Sequence, residues 1–381
     1  MYTRLLLEEI KNTKKSLMIL GPRQVGKSTL IHSLRPDLSI NLANESEFFH
    51  LQSDPSELER RVFGSKAKTI FIDEIQRIPR MTNTIQDIID NNPSLRFFLS
   101  GSSARKLRKG NANLLPGRLL SFQLAPLAAA ELGSDWDIDK VMRFGSLPGI
   151  LTTQSDKEKK LMLKSYTNSY LKEEIMAESL VRQVDGFVRF LSSAAADAGS
   201  FLDYSKIAKK SKVPRQSVVR HFEILEDTLI ARKIQNDPNL DYEEFDLVKH
   251  PRFYFFDLGV LNTIRGTFEL NQERLGFLFE HMVFNQIVNS ATGRNLDYEI
   301  YNFRTRGGLE VDFILKIEGT YYALECKAGN SVTSSELNPI KKISKYYPKI
   351  KKLVIYQGTK ELKDGDVWIL PFQKALKTLG L

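Results

Sequence analysis

The sequence predicts an α/β protein: a parallel-sheet domain at the amino end, a helical and winged-helix middle, and an α/β domain at the carboxyl end. Three observations lead there. Short apolar runs alternate with amphipathic stretches through the first 130 or so residues. Charged residues at a helical period follow from Asp137 to Ala198. Extended runs then follow one long helical stretch near 273–289. Strand and helix alternating at the first spacing is how crossover helices cover a parallel sheet.

Taken in order, Ser16–Leu20 reads as a short buried strand, followed by a glycine loop and a helix from about Lys27. Residues 38–42, Thr69–Asp73 and 95–100 are three more strands, with a helix over Met81–Asn91. Residues 203–235 look like two short helices, a turn and an exit strand at 229–234. The last segment carries extended runs at 299–303, Glu310–Ile317, Thr320–Lys327 and 352–357. Neither internal repeats nor low-complexity tracts occur. The expected units are 1–135, 136–200, 201–245 and 246–381.

Bulk properties narrow the classes. The 381 residues exceed what one hydrophobic core usually serves, and 42% hydrophobic with 27% charged residues exclude a disordered chain. A single cysteine, Cys326, excludes an internal disulfide and a cysteine-based zinc cluster. No apolar run approaches the roughly 18 residues of a membrane span. The Met1-Tyr2-Thr3-Arg4 start lacks the features of a signal peptide, so a cytoplasmic location is expected. The net charge of +9 attracts polyanions, of which nucleic acid is the commonest, though a solvated basic surface reads the same way.

Gly21-Pro22-Arg23-Gln24-Val25-Gly26-Lys27-Ser28, with Thr29 next, fits G-x-x-x-x-G-K-[ST] between a strand and a helix. Two glycines let the backbone bend so that its N–H groups face phosphate oxygens, and the helix adds its positive end. Lys27 supplies a mobile charge for the β- and γ-phosphates, and Ser28 a hydroxyl for Mg²⁺. Thr69-Ile70-Phe71-Ile72-Asp73-Glu74 is an apolar strand ending in two acids. Asp73 would hold Mg²⁺ there, and Glu74 would orient or deprotonate the attacking water. ATP and Mg²⁺ are the expected ligands.

The next strand ends at Leu99-Ser100-Gly101-Ser102-Ser103, which sets Ser100 beside the terminal phosphate if this strand neighbours that of Asp73. Helix capping is the other reading of Ser102 and Ser103. Pro116-Gly117-Arg118 offers Arg118 either as an arginine finger or as a surface ion pair.

These runs, with Phe71-Ile72-Asp73-Glu74-Ile75-Gln76-Arg77-Ile78-Pro79 and the Ala125-Pro126-Leu127 ending, resemble the archaeal/bacterial AAA-type ATPase family. The resemblance implies an AAA+ ATPase with Ser100 as sensor residue and Arg118 as the best match for the finger. Such a finger normally reaches a neighbouring subunit, so a homo-oligomer is implied.

Residues 203–221 have the layout of a helix-turn-helix, in which Ile207 and Ala208 face inward and Val218, Phe222 and Leu225 form one stripe. Arg215, Gln216 and Arg220 would then face outward, suited to DNA phosphates or base edges. Packing alone is the competing role.

Further on, Glu318-Gly319 suits a two-residue hairpin turn between Glu310–Ile317 and Thr320–Lys327. Pairing 317 with 320 sets Asp312 opposite Glu325, and Glu310 opposite Lys327. Val311, Phe313, Leu324 and Cys326 would point to the other face, toward the core. Two close carboxylates need a cation or a proton between them, and a divalent ion plus a lysine can hydrolyse a phosphodiester. Solvent-facing salt pairs are the alternative. Together with Gly276-Phe277-Leu278-Phe279-Glu280-His281, this hairpin resembles the PD-(D/E)XK nuclease superfamily. More closely still, it is similar to the domain of unknown function that usually follows this ATPase. That resemblance implies Glu280, Asp312 and Glu325 as the acidic, metal-binding set and Lys327 as the catalytic lysine. The five histidines, His32, His50, His221, His250 and His281, read as structural.

The expectation is therefore an ATPase that binds and remodels or processes DNA, with metal-dependent cleavage as a further activity. Its rival is a nucleotide-dependent switch whose last domain only binds DNA or a protein partner.

Overall fold

The computed structural model describes residues 2–102, 117–170, 184–241 and 243–381; Ser103 and Pro116 lie outside these. Strands β1 (Ser16–Leu20), β2 (Leu38–Asn41), β3 (Thr69–Asp73), β4 (Arg96–Gly101) and β5 (Leu119–Gln123) form one parallel sheet ordered β2-β3-β4-β1-β5. Both faces are covered, as a parallel sheet requires. After helices α1 (Leu6–Asn12), α2 (Lys27–His32) and α3 (Glu45–Ser53), Leu58 and Val62 of α4 (Glu57–Ser65) and Ile85 of α5 (Met81–Asn91) pack on one side with Met18, Leu20, Ile70, Ile72, Phe97 and Leu99. Their neighbours Leu17, Ile19, Phe71, Phe98 and Phe122 face the other side. The alternation in sequence becomes two separate cores.

The second of these cores continues through the middle of the chain into the carboxyl end. Helices α6 (Ile138–Phe144), α7 (Asp156–Ser165) and α8 (Val184–Ala196) lead to α9 (Tyr204–Ser211) and α10 (Arg215–Asp227). Asp203 starts α9 by accepting from the N–H groups of Ser205 and Lys206 at 2.8 and 3.1 Å. The inward stripe of α10 meets Phe190 and Phe253 through Phe222, with ring centroids 4.9 and 4.3 Å away. Strand β6 (Ala231–Ile234) pairs antiparallel with β7 (Arg252–Phe255), so the two-stranded wing spans position 245. Helix α11 (Leu258–Arg265) follows, with Asp257 accepting from Val260 N at 3.1 Å.

Helix α12 (Gln272–Gly293) is buried on nearly all sides from Leu278 onward. It packs between β10 of the last sheet and the loop after β5. That sheet is ordered β12-β13-β11-β10-β9-β8, where β8 is Tyr298–Arg304, β9 Glu310–Ile317, β10 Thr320–Lys327, β11 Lys351–Tyr356, β12 Leu362–Asp364 and β13 Val367–Pro371. The β9–β10 hairpin has the expected register from Thr320↔Ile317 to Leu324↔Phe313.

Beyond that point a bulge intervenes. Tyr301 faces Ile314 while Phe303 faces Val311, so Asn302 opposes both Asp312 and Phe313. Val311 therefore packs with Ile314 on one face, whereas Phe313, Leu324 and Cys326 pack on the other. The expected common face of Val311 and Phe313 is corrected by that one extra residue. Among the described residues, no helix is long and apolar enough to cross a membrane.

Candidate functional site

The first site is built at the carboxyl edge of the parallel sheet. Gly26 stands in the left-handed region at φ 93° and opens helix α2 (Lys27–His32). At Gly21 a Cβ would fall 2.2 Å from the Leu124 carbonyl oxygen, which leaves room only for glycine. Lys27 is buried, and its Nζ donates to the carbonyls of Gly21 and Pro22, both at 2.9 Å.

Strand β4 lies between β1 and β3, so its tip reaches both halves of the site. Ser28 Oγ donates to Asp73 Oδ2 at 2.6 Å, and Ser100 Oγ donates to Asp73 Oδ1. Glu74 N in turn donates to Ser100 Oγ at 3.2 Å. Glu74 itself adopts φ 58°, and Gln76 Nε2 donates both to its carboxylate and to Ser102 Oγ, the latter at 3.0 Å. Ser28, Asp73, Glu74 and Ser100 therefore converge. A hydroxyl beside a carboxylate is the donor set that Mg²⁺ accepts alongside phosphate oxygens.

Arg118 is not among them. It precedes Leu119, which pairs with Ser16 at the amino edge of the sheet, opposite the phosphate loop. There it donates to Asp90 at 2.5 Å. Within the chain it takes the ion-pair reading.

Arg4 is the residue that sequence reasoning missed. Its guanidinium donates to Val25 O in the loop and to Ala125 O after β5, each at 2.6 Å, and to Glu131 at 3.0 Å. Nothing in a lone arginine near the start signals this. A cavity of about 260 Å³ opens beside the loop between Tyr2, Leu7, Thr29, Leu30 and Pro148.

The second constellation lies where α12, β7, β9 and β10 meet. Asp312 Oδ2 accepts from Cys326 N at 2.8 Å, and Lys327 Nζ donates to Glu325 Oε1 at 2.9 Å. Glu280 turns elsewhere: it accepts from Arg252 and, at 2.6 Å, from the Tyr254 hydroxyl. Burial, with the Asp312 charge nearby, pushes Glu280 up to about 7. Burial likewise raises Asp312, which is further raised by Glu325, and it raises Glu325 against the pull of Lys327.

Glu280 is thus engaged by Arg252 and Tyr254, apart from the contacts that Asp312 and Glu325 make with Cys326 and Lys327. Among the described residues no group of three or more His, Cys, Asp or Glu side chains is arranged to hold a metal ion. One observation still fits a cation: Glu325 Oε2 is buried without a partner. Cys326 packs against the core, and burial holds its thiol well above the usual range. His281 is fully buried, with Nε2 against Phe255 O at 2.9 Å, and burial lowers it to about 4.

Comparison with known proteins divides the chain into three segments. Residues 13–133 match the family model of an AAA domain. Residues 135–271 match a domain of unknown function (DUF8612), and residues 275–375 another (DUF4143). The uncharacterized protein MJ1544 of Methanocaldococcus jannaschii is 22% identical over 369 residues, 89% of this chain and 79% of that protein. A solved structure titled as the replication initiator DnaA bound to AMPPCP and single-stranded DNA aligns over 58% of this chain and 86% of its own. It does so at 12% identity and a TM-score of 0.28, which does not show a shared fold. The AAA match, on a parallel sheet that carries a phosphate loop, supports an AAA-type, nucleotide-binding ATPase.

Proposed function

We propose that this chain hydrolyses Mg²⁺-ATP at the loop of residues 21–29 and uses the cycle to bind and process DNA. The observation that carries the ATPase half is the Asp73 carboxylate held between Ser28 and Ser100. Backbone N–H groups from Gly21 to Thr29 would cradle the phosphates, with Lys27 as the mobile charge. Mg²⁺, held through Ser28 and Asp73 when nucleotide is bound, supplies charge neutralisation at the phosphate oxygens. Glu74 orients or deprotonates the attacking water, and Ser100 couples Asp73 to the Glu74 backbone. The cavity at Tyr2, Leu7 and Leu30 is apolar enough for a base.

DNA is the partner that the charge and the middle module favour. Arg215, Gln216 and Arg220 are all exposed on α10, near exposed Lys206, Lys209 and Lys212. The net charge is +9. In this reading residues 1–135 form the ATPase, 136–200 the helical linker, and the winged-helix-like module runs from 201 through β7. The remainder is a PD-(D/E)XK nuclease-like domain in which Asp312 and Glu325 hold a divalent ion and Lys327 steadies the developing charge. The unpartnered Glu325 oxygen supports that assignment. A finger role for Arg118 would be toward a neighbouring copy of the chain, which makes the working form a homo-oligomer.

The test is cleavage of DNA with Mg²⁺ or Mn²⁺, run beside ATP turnover. Asp312→Ala abolishes cleavage and leaves ATP hydrolysis intact. A second reading has its own observation: Glu280, Asp312 and Glu325 all have internal partners. It makes the chain a nucleotide-dependent switch, with a tightly held nucleotide, slow turnover and no cleavage product under either metal.

A further inference from the structure

Arg252 sits on β7, the strand that completes the wing, yet its guanidinium serves the carboxyl-terminal cluster. It is 4% exposed. Nε donates to Gly199 O in the turn after α8, Nη1 to the Asp312 carbonyl at 3.1 Å, and Nη2 to Glu280 Oε1. The Tyr254 hydroxyl donates to that same Glu280 oxygen at 2.6 Å. Rings of Phe201, Tyr254 and Phe313 surround the guanidinium at 5.3–5.9 Å. An arginine fork caged in this way has little freedom to release its carboxylate.

The charges around it do not balance. When all three are ionised, Glu280, Asp312 and Glu325 exceed the two cations, Arg252 and Lys327, by one negative charge. The excess has an address, since Glu325 is 7% exposed and its Oε2 is buried without a partner. A desolvated carboxylate oxygen of that kind calls for a proton or a cation. Asp312, across the hairpin, is the acid that can share it, whereas Glu280 is committed to Arg252.

We propose that Arg252 is a positioning residue that withdraws Glu280 from metal binding and fixes the Asp312 backbone at the bulge. The carboxyl-terminal site then takes a single divalent cation, on Asp312 and Glu325 alone. This inference rests on reading the cluster as a metal site. It adds that the site is completed by a residue from the middle segment, and that one of the three expected acids is not a ligand.

Mn²⁺ alone serves as the probe, titrated into the full chain carrying Asp73→Asn so that the phosphate-loop site is silent. Electron paramagnetic resonance of free Mn²⁺ gives stoichiometry and affinity. One ion per chain is expected, lost with Asp312→Asn or Glu325→Gln. Glu280→Gln keeps it within about threefold, while Arg252→Lys, which retains the charge but not the fork, weakens it about tenfold to a hundredfold. Two ions per chain, or loss of the ion with Glu280→Gln, would overturn the proposal while sparing the metal-site reading. No ion at all in the Asp73→Asn chain would overturn both.

Discussion

Ser28 Oγ donates to Asp73 Oδ2 at 2.6 Å, joining the first turn of the helix after the phosphate loop to the end of a strand two places away in the sheet. The intervening strand contributes Ser100 to the other oxygen of the same carboxylate. A single acid is therefore read from both sides, and the next residue, Glu74, is aimed by its left-handed backbone and by Gln76.

Glu74→Gln follows from that arrangement. The amide keeps the shape and the Gln76 contact but cannot take a proton. Turnover falls by about 10²–10⁴ while ATP affinity is unchanged within about twofold. Steady-state hydrolysis and filter binding of labelled ATP separate the two effects.

Arg4 ties the loop to the segment after β5, and its partner Glu131 has a side chain only 1% exposed. Removing one member of a buried pair strands the other, which costs about 3–5 kcal/mol. Arg4→Ala should lower the unfolding free energy by that amount in urea titrations, and should also weaken nucleotide binding through Val25. A melting curve equal to wild type would show that the bridge contributes nothing.

Asp257 provides a pH signature. Burial raises its carboxyl to about 6 from an ordinary 3.8, although Ser146 N donates to it at 2.7 Å. The folded state thus holds a proton that the unfolded state has released between those values. Stability from this group is full below about pH 4, falls by about 3 kcal/mol as pH rises to about 6, and is flat above. Asp257→Asn should remove that slope in denaturant titrations between pH 4 and 7.

Arg118 pairs with Asp90 at the far edge of the sheet from the phosphate loop. Its effect on hydrolysis therefore requires a second copy. Arg118→Ala should match wild type at dilutions where the chain is monomeric and fall behind where turnover per subunit rises with concentration. A concentration-independent deficit would place its action within one subunit.

The hairpin register was legible because Glu318-Gly319 leaves one way to close the turn, and the ladder from Ile317 to Phe313 follows it. The phosphate loop and the acid pair were legible for a similar reason: local chemistry demands those residue types at those spacings. What escaped is long-range. β5 was missed because residues 119–123 carry too weak an apolar pattern, and only their pairing with β1 makes them a strand. The bulge at Asp312 depends on how β8 pairs with β9, which no local pattern encodes. Arg252 lies 28 residues from Glu280, and the wing that places it is completed only by pairing with β6.

The most direct test of the central claim is ATP turnover with and without linear, single-stranded, forked and four-way DNA at two salt concentrations, with Lys27→Ala as the blank. The expected result is turnover absent from the blank, stimulated by DNA, and losing that stimulation as salt rises, because phosphate contacts release counterions. Turnover indifferent to every DNA at both salts would contradict the DNA-driven reading and leave the protein-partnered switch.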